Sequence, residues 1–519
     1  MNLSNNSMSR RGLMKAGVAV AGLAATPVSV GAPSAAAATV GQHAVPVAGP
    51  PVWKHAVGDP RGIDIAITTG RNAEARFGVM FKSLPAFSPP DDLLTALAES
   101  MVEARGPLPD VSQSNDGFDN PDLPAGFTYL GQFIDHDMTR DTTDLSAQQV
   151  DPKGLTNFDT PFFDLGSVYG RGPDLDPQLY DPAVPGKLLL QSPDGVWDLP
   201  READGTAIIG DPRNDENLIT LQLQIAFIRL HNWFLDQTRD FAVARRLTRW
   251  HFQWVIVHDF LPRVVGADVV NGLLVKQVSG KITVRSSFYR PTNPLRPMMP
   301  VEYAAAAYRF GHSMIRAEYE LKDLPVDDPA TEVSLTLPIF STTGPDLRGS
   351  RPLPAELCLD WNYFFEIPGL SAPTDRNMAR LIDTQVARPL HDLPETVVLH
   401  TPGAVLALAE RNLLRGKRLG LPAGQDVAKV MKLAPIANTD LGLTDPRWGG
   451  KAPLWFYILK EAELGGGMQL GPVGGRIVAE VILGILAADT SSYFNASPGF
   501  SPALADFRMG DLLHLAGAV

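Results

Sequence analysis

The stretch Gly131-Gln132-Phe133-Ile134-Asp135-His136-Asp137 sets an amide, two carboxylates and an imidazole within two helical turns. At ~100° per residue, Gln132, Asp135 and His136 share one face, while Asp137 points away from it. Three such groups turned into one cavity are costly to bury without a ligand. An imidazole near its own pKa can take a proton from one atom and return it to another. Taken alone, the same residues fit a surface cluster or a capped turn equally well. Downstream, Asn157 to Gly170 alternates polar groups with aromatics and carries Thr160 and Asp164 at short spacing. Hydroxyl, carboxylate and carbonyl oxygens from one loop suit a hard cation such as Ca²⁺, and Asp137 would complete the cage. The bland alternative is an ordinary Asp-containing loop.

Two further segments add a fixed cation and a second imidazole. In Gly210-Asp211-Pro212-Arg213-Asn214-Asp215-Glu216-Asn217, Asp211 followed by Pro212 reads as a cap with proline at the first helical position. Arg213 and Glu216, three apart, face the same way; a surface ion pair of small worth explains them as well. In Tyr303 to Ile315, the alanines 304–307 let something flat approach closely, and His312 follows Gly311. A lone helical histidine is more often structural than a ligand. As an axial iron ligand it needs an acceptor behind it to fix the ring.

Helices must position these groups. Apolar residues at helical spacing predict helices over Asn217–Asp236, Thr248–Phe260, Val301–Ile315, Ala404–Arg415, Ala452–Glu463 and Arg476–Ala488. The last is short for a membrane span and holds Glu480, so it reads as a buried helix. Strand signals are sparse, and Pro-, Asp- and Gly-rich connections fill 105–125, 140–215 and 320–375. No internal period appears, and no linker is evident after residue 60. The expectation is a mostly α protein with one large domain and long ordered loops.

The four chemical segments together resemble the animal haem peroxidase family. A fifth match, Asn412-Leu413-Leu414-Arg415-Gly416-Lys417-Arg418-Leu419-Gly420-Leu421-Pro422, is similar to the family's N-x-x-R-x-R-D-H-G-L-P stretch. The resemblance runs in order from about residue 60 to the C-terminus. It implies a haem b with His312 as its axial ligand, Asn412 as that histidine's partner and Arg309 in the haem-binding set. It makes His136 the distal acid and base, Gln132 its cavity neighbour and Arg213 the distal arginine. Asp135 and Glu216 match carboxylates that ester-link to haem in some members. Asp137, Thr160, the Phe162 carbonyl and Asp164 match a calcium site. Its last ligand falls on Gly166, one place before Ser167. Asn217 stands where some members carry a methionine bonded to haem, which excludes that link, and Lys417-Arg418-Leu419 replaces R-D-H.

The implied function is reduction of hydrogen peroxide with oxidation of a small donor, a halide or a phenol. Its rivals are a fatty-acid dioxygenase of the same fold and a secreted calcium- or haem-binding surface protein without catalysis. The dioxygenases use a tyrosine three residues before the proximal histidine; here Arg309 holds that place and Tyr308 is four before.

Composition sets the outer bounds. The 519 residues are 45% hydrophobic and 20% charged, an ordinary globular mixture. The net charge of −12 argues against a general nucleic-acid binder, which needs clustered Lys and Arg. It also argues against attraction to an anionic membrane surface. Cys358 is the only cysteine, so an intrachain disulfide and a thiolate zinc cage are both excluded. Arg10-Arg11 ahead of the weakly apolar Ala16–Ala25, with small residues from Ser34 to Ala38, reads as a twin-arginine signal peptide over residues 1–39. Without its three cationic side chains the remainder carries −15. Residues 40–60, with Pro46, Pro50 and Pro51, read as a linker, leaving 61–519 as the catalytic domain. Export through the twin-arginine machinery, without membrane insertion, implies a secreted protein that takes up its cofactor before leaving the cytoplasm.

Overall fold

The computed structural model describes residues 77–102, 118–139, 157, 161–192, 195–291, 297–324, 333–394, 397–398, 405–504 and 506–519. The expected signal peptide, linker and Thr160 lie outside these residues.

The helices that shape the site are α1 (Asp91–Ser100), α2 (Gly126–Met138), α3 (Leu218–Thr238), α4 (Phe241–Val255), α5 (Leu408–Arg418), α6 (Leu454–Leu464), α7 (Pro472–Ala488) and α8 (Met509–Ala516). Among the described residues, strands form three two-stranded antiparallel pairs. β1 (Asp119–Pro124) pairs with β6 (Met378–Arg380), β2 (Leu274–Lys276) with β3 (Ile282–Val284), and β4 (Glu318–Asp323) with β5 (Ser334–Pro338). The mostly helical expectation holds. One cluster of buried apolar side chains runs from Met80 to Ala516 through these helices.

α3 is buried on nearly every side through Ile228 and packs against α2, α4 and α8. Asn217 caps it, its side-chain oxygen accepting from the amides of Ile219 and Thr220. Asp211 and Pro212 begin a separate 3₁₀ turn, Pro212–Asp215, before that cap. α4 starts seven residues before the predicted boundary, because Asp240 caps it by accepting from the Val243 amide at 3.0 Å. A π-turn, Ile256–Phe260, then carries it into Leu261–Val265. α7 is the buried helix expected. Its Glu480 is fully buried and accepts from the Ser286 hydroxyl and the amides of Ser287, Phe288 and Tyr289. No described helix is long and apolar enough to cross a membrane.

The predicted helix over Val301–Ile315 is broken. A short helix, Val301–Ala304, ends at Ala305, and a 3₁₀ segment, Ala307–His312, follows Ala306 at φ −136°. Tyr303 and Tyr308 explain the break: their rings stack at 4.8 Å between centroids and 21° between planes. Residues five apart on a continuous helix point ~140° away from one another and cannot stack. The local preference of four alanines for helix yields to that buried contact.

Candidate active site

α2 presents its chemistry as the spacing predicts. Gly131, Gln132 and Asp135 are half-buried on a helix that is otherwise buried from Gly126 to Met138. They form one open strip beside His136, which is 7% exposed. Gln132 Oε1 accepts from Asn217 Nδ2 at 3.3 Å, and Asp135 Oδ1 accepts from the Thr139 hydroxyl at 3.0 Å.

His136 Nδ1 donates to Asn214 Oδ1 at 2.7 Å. Asn214 is fully buried and donates through Nδ2 to Gln224 Oε1 at 3.0 Å. Gln224 in turn donates through Nε2 to the Ser167 carbonyl at 2.9 Å. Burial first, and the neighbouring Arg213 second, push the His136 ring down to about 4, against the opposing pull of Asp211 and Asp135. The ring is therefore not poised near its ordinary pKa, as the sequence reading assumed. It is neutral at neutral pH, and its conjugate acid gives up a proton readily.

Arg213 does not pair with Glu216 in the way their spacing suggests. Its Nε and Nη2 hold both carboxylate oxygens of Asp211, at 3.1 and 2.6 Å, and Nη2 also reaches the His136 carbonyl at 3.0 Å. Asp211 thus caps the 3₁₀ turn through the Arg213 amide and fixes the guanidinium at the same time. Glu216 is exposed at the end of that turn. The turn is strapped from outside: Gly349 donates to the Glu216 carbonyl and Ser350 to the Asp215 carbonyl. Arg201, between Asp198 and Asp215, anchors it from below.

On the other side, His312 ends the 3₁₀ segment, which packs against α2 through the Tyr308 hydroxyl donating to the Gly131 carbonyl at 3.2 Å. Asn412 of α5, 2% exposed, donates through Nδ2 to His312 Nδ1 at 2.8 Å and accepts from Arg309 Nη1 at 3.2 Å. Burial, then the charges of Arg309 and Arg415, push the His312 ring down to about 3. A Cβ added at Gly311 would meet nothing within 4 Å, so space opens beside this histidine.

Asp137 is fully buried on the opposite face of α2, where its carboxylate accepts from the amides of Leu165 at 2.8 Å and Gly166 at 2.6 Å. Leu165 adopts φ +59° to present them. Phe162 and Asp164 are half-buried nearby in sequence, and the buried Ser167 hydroxyl has no partner among the described residues. No group of three or more His, Cys, Asp or Glu side chains suited to a metal ion occurs among the described residues. The residues that motif reading missed are Asp211 as the anchor of Arg213, and Asn214 and Gln224 behind His136. Asn214 lies inside a quoted motif, but nothing in its spacing distinguishes it from a turn-forming asparagine.

The family model for animal haem peroxidases matches residues 136–441. The chain therefore belongs to the animal haem peroxidase family. It is 28% identical over 192 residues to a chorion peroxidase of Aedes aegypti, covering 33% of this chain and 23% of that protein. The chain spans less than a quarter of the length of the curated relatives it matches. Among solved structures, it resembles peroxidase A from Dictyostelium discoideum, with TM-score 0.50 and 16% identity over 84% of this chain and 93% of that one. It also resembles a fatty acid alpha-dioxygenase of Arabidopsis thaliana, with TM-score 0.53 and 16% identity over 83% and 74%. Identities this low speak for the fold alone.

Proposed function

We propose that the protein is a haem-dependent peroxidase that reduces hydrogen peroxide and oxidises a small donor, a halide or a phenol. One observation carries this reading. His136 and His312 are each tied through Nδ1 to a buried asparagine, and neither Nε2 has a protein partner among the described residues. The open strip on α2 and the space beside Gly311 fit a flat ligand between the elements that hold them.

His312 would hold the iron, with Asn412 behind it. Holding the iron through Nε2 would call for the ring proton on Nδ1 and the Asn412 oxygen facing it. A bound haem would supply the redox chemistry between peroxide and donor. His136, neutral, takes a proton from one peroxide oxygen and returns it to the other. Arg213, fixed by Asp211, stabilises negative charge on the leaving oxygen. Ester links from Asp135 and Glu216 belong to the same proposal, as does calcium at Asp137, Thr160, the Phe162 carbonyl, Asp164 and Ser167. The orphaned Ser167 hydroxyl favours that residue as the last ligand. Arg10-Arg11 and the apolar run after them support secretion by the twin-arginine route.

The test is to load the full chain with haem, add peroxide, and follow guaiacol oxidation together with the Soret band. Wild type is expected to turn over, and His312→Ala to lose haem. An unreactive loaded wild type, or an unchanged Soret band in His312→Ala, overturns the reading. A fatty-acid dioxygenase is the second reading, favoured by the fold shared with the Arabidopsis enzyme. Oxygen uptake with a long-chain fatty acid and no added donor would establish it instead.

A further inference from the structure

The chain of hydrogen bonds behind His136 has only one possible direction. It ends on the backbone carbonyl of Ser167, which can accept but never donate. Gln224 must therefore turn its Nε2 toward Ser167, and its Oε1 then faces Asn214. An oxygen there forces Asn214 to donate through Nδ2, so that its Oδ1 faces the imidazole. An amide oxygen cannot donate, so His136 must carry its proton on Nδ1 and keep its lone pair on Nε2. Each amide is locked by its neighbour, and both are buried, Asn214 at 0% and Gln224 at 1% exposure, so no water is at hand to reverse them. Turning any one member over would leave two donors or two acceptors facing one another away from solvent.

We propose that Asn214 and Gln224 are positioning residues that set the tautomer of His136, with the Ser167 carbonyl fixing the direction of the relay. What His136 then does rests on the peroxidase reading; that its Nε2 is presented as the acceptor does not. The relay also ties the imidazole to the segment that Asp137 holds, since Asp137 accepts from Leu165 and Gly166 directly before Ser167. Neighbouring residues of α2 thus reach the same short segment by two routes, one from the ring and one from the carboxylate. The Ser167 carbonyl is itself braced by the Gly210 amide at 3.2 Å, beside the Asp211 cap.

The experiment has two readouts. In the full chain labelled with ¹⁵N at histidine, with no porphyrin added, ring nitrogen shifts report each tautomer, and His136→Gln assigns the signal. Wild type is expected to show a single Nδ1–H form. Asn214→Leu, of similar volume but without an acceptor, is expected to move His136 to a mixture or to the Nε2–H form. Gln224→Leu, which does not touch the ring, is expected to move it in the same direction. Asn214→Asp, with its second oxygen protonated and donating to Gln224 Oε1, keeps an oxygen facing the ring and is expected to restore Nδ1–H. In the haem-loaded proteins, Asn214→Leu is expected to slow the reaction with peroxide about ten- to a hundredfold, and Asn214→Asp to recover to within about threefold of wild type. An unchanged tautomer in Asn214→Leu overturns the proposal, and so does equal slowing by Leu and Asp. If loaded wild type fails to react with peroxide, the peroxidase reading falls while the tautomer result still decides the relay.

Discussion

Arg213 shows how a single side chain is held in one geometry. A guanidinium is a planar fork, and here two of its nitrogens grip Asp211 while one also reaches the His136 carbonyl. Lysine offers a point charge that can reproduce one of those contacts but not all of them. Charge-assisted bonds are worth about 1.5–3 kcal/mol each, so Arg213→Lys is expected to slow the peroxide step by roughly ten- to a hundredfold with haem content unchanged. Stopped-flow mixing with peroxide checks this, and a rate equal to wild type would remove Arg213 from the reaction. At this scale the sequence made the candidate groups legible by type and spacing. His136, Arg213, His312 and Asn412 are each distinctive in type and spacing, and the structure ties each to a defined partner. Partners were less legible. Glu216 looked like the natural mate of Arg213 by spacing, yet Asp211 takes that role because the carboxylate that caps the turn at the Arg213 amide lies within reach of the guanidinium of the same residue.

Between elements, one buried carboxylate links packing to pH. Glu461 of α6 accepts from the amides of Val473 at 2.8 Å and Gly474 at 3.4 Å, capping the first turn of α7 from a neighbouring helix. Gly471 makes the approach possible, since a Cβ there would lie 2.3 Å from the Glu461 side chain. The helix N-terminus favours the anion, but burial outweighs it and pushes the carboxyl up to about 7. The folded state then binds this proton more tightly than the unfolded chain. Its contribution is complete below about pH 4.5 and is lost as pH rises through about 7, a change on the order of 3 kcal/mol. Glu461→Gln keeps an acceptor without the titration. The stability of wild type relative to the variant is expected to fall across that window in urea melts, and parallel profiles would refute the assignment. Long, largely apolar helices such as α3 and α7 were legible from the sequence. The break before His312 was not, because the stacking of Tyr303 on Tyr308 is a tertiary contact that no local preference encodes. Asp240 as the cap of α4 was passed over for the same reason the boundary was misplaced: the apolar stripe begins later than the helix.

Across the whole molecule, the segment 162–167 is where several helices are sewn together. Asp137 of α2 holds the amides of Leu165 and Gly166, Gln224 of α3 holds the Ser167 carbonyl, and Gln253 of α4 holds the Phe163 carbonyl at 2.8 Å. Gln253 also accepts from the Tyr493 amide at 3.1 Å, carrying the connection toward the C-terminal region. A calcium ion in the proposed cage would brace all of these contacts, so its loss belongs in global stability and not only in the local site. A ligand present at a hundred times its dissociation constant stabilises by about 2.7 kcal/mol, and each kcal/mol moves the midpoint of a large domain by about 2–4 °C. Chelation is therefore expected to lower the melting temperature by roughly 5–10 °C. Ser167→Ala sharpens the test, because its buried hydroxyl bonds to nothing among the described residues. Removing that hydroxyl is expected to cost nothing in chelated protein, where it leaves an unsatisfied group behind no longer. The same substitution should shrink the gain from added calcium. Calorimetry of both proteins with chelator and with calcium, alongside metal analysis, decides the matter: absence of calcium, or equal destabilisation of the variant in both conditions, would mean that no calcium ion joins the Leu165 and Gly166 amides at Asp137.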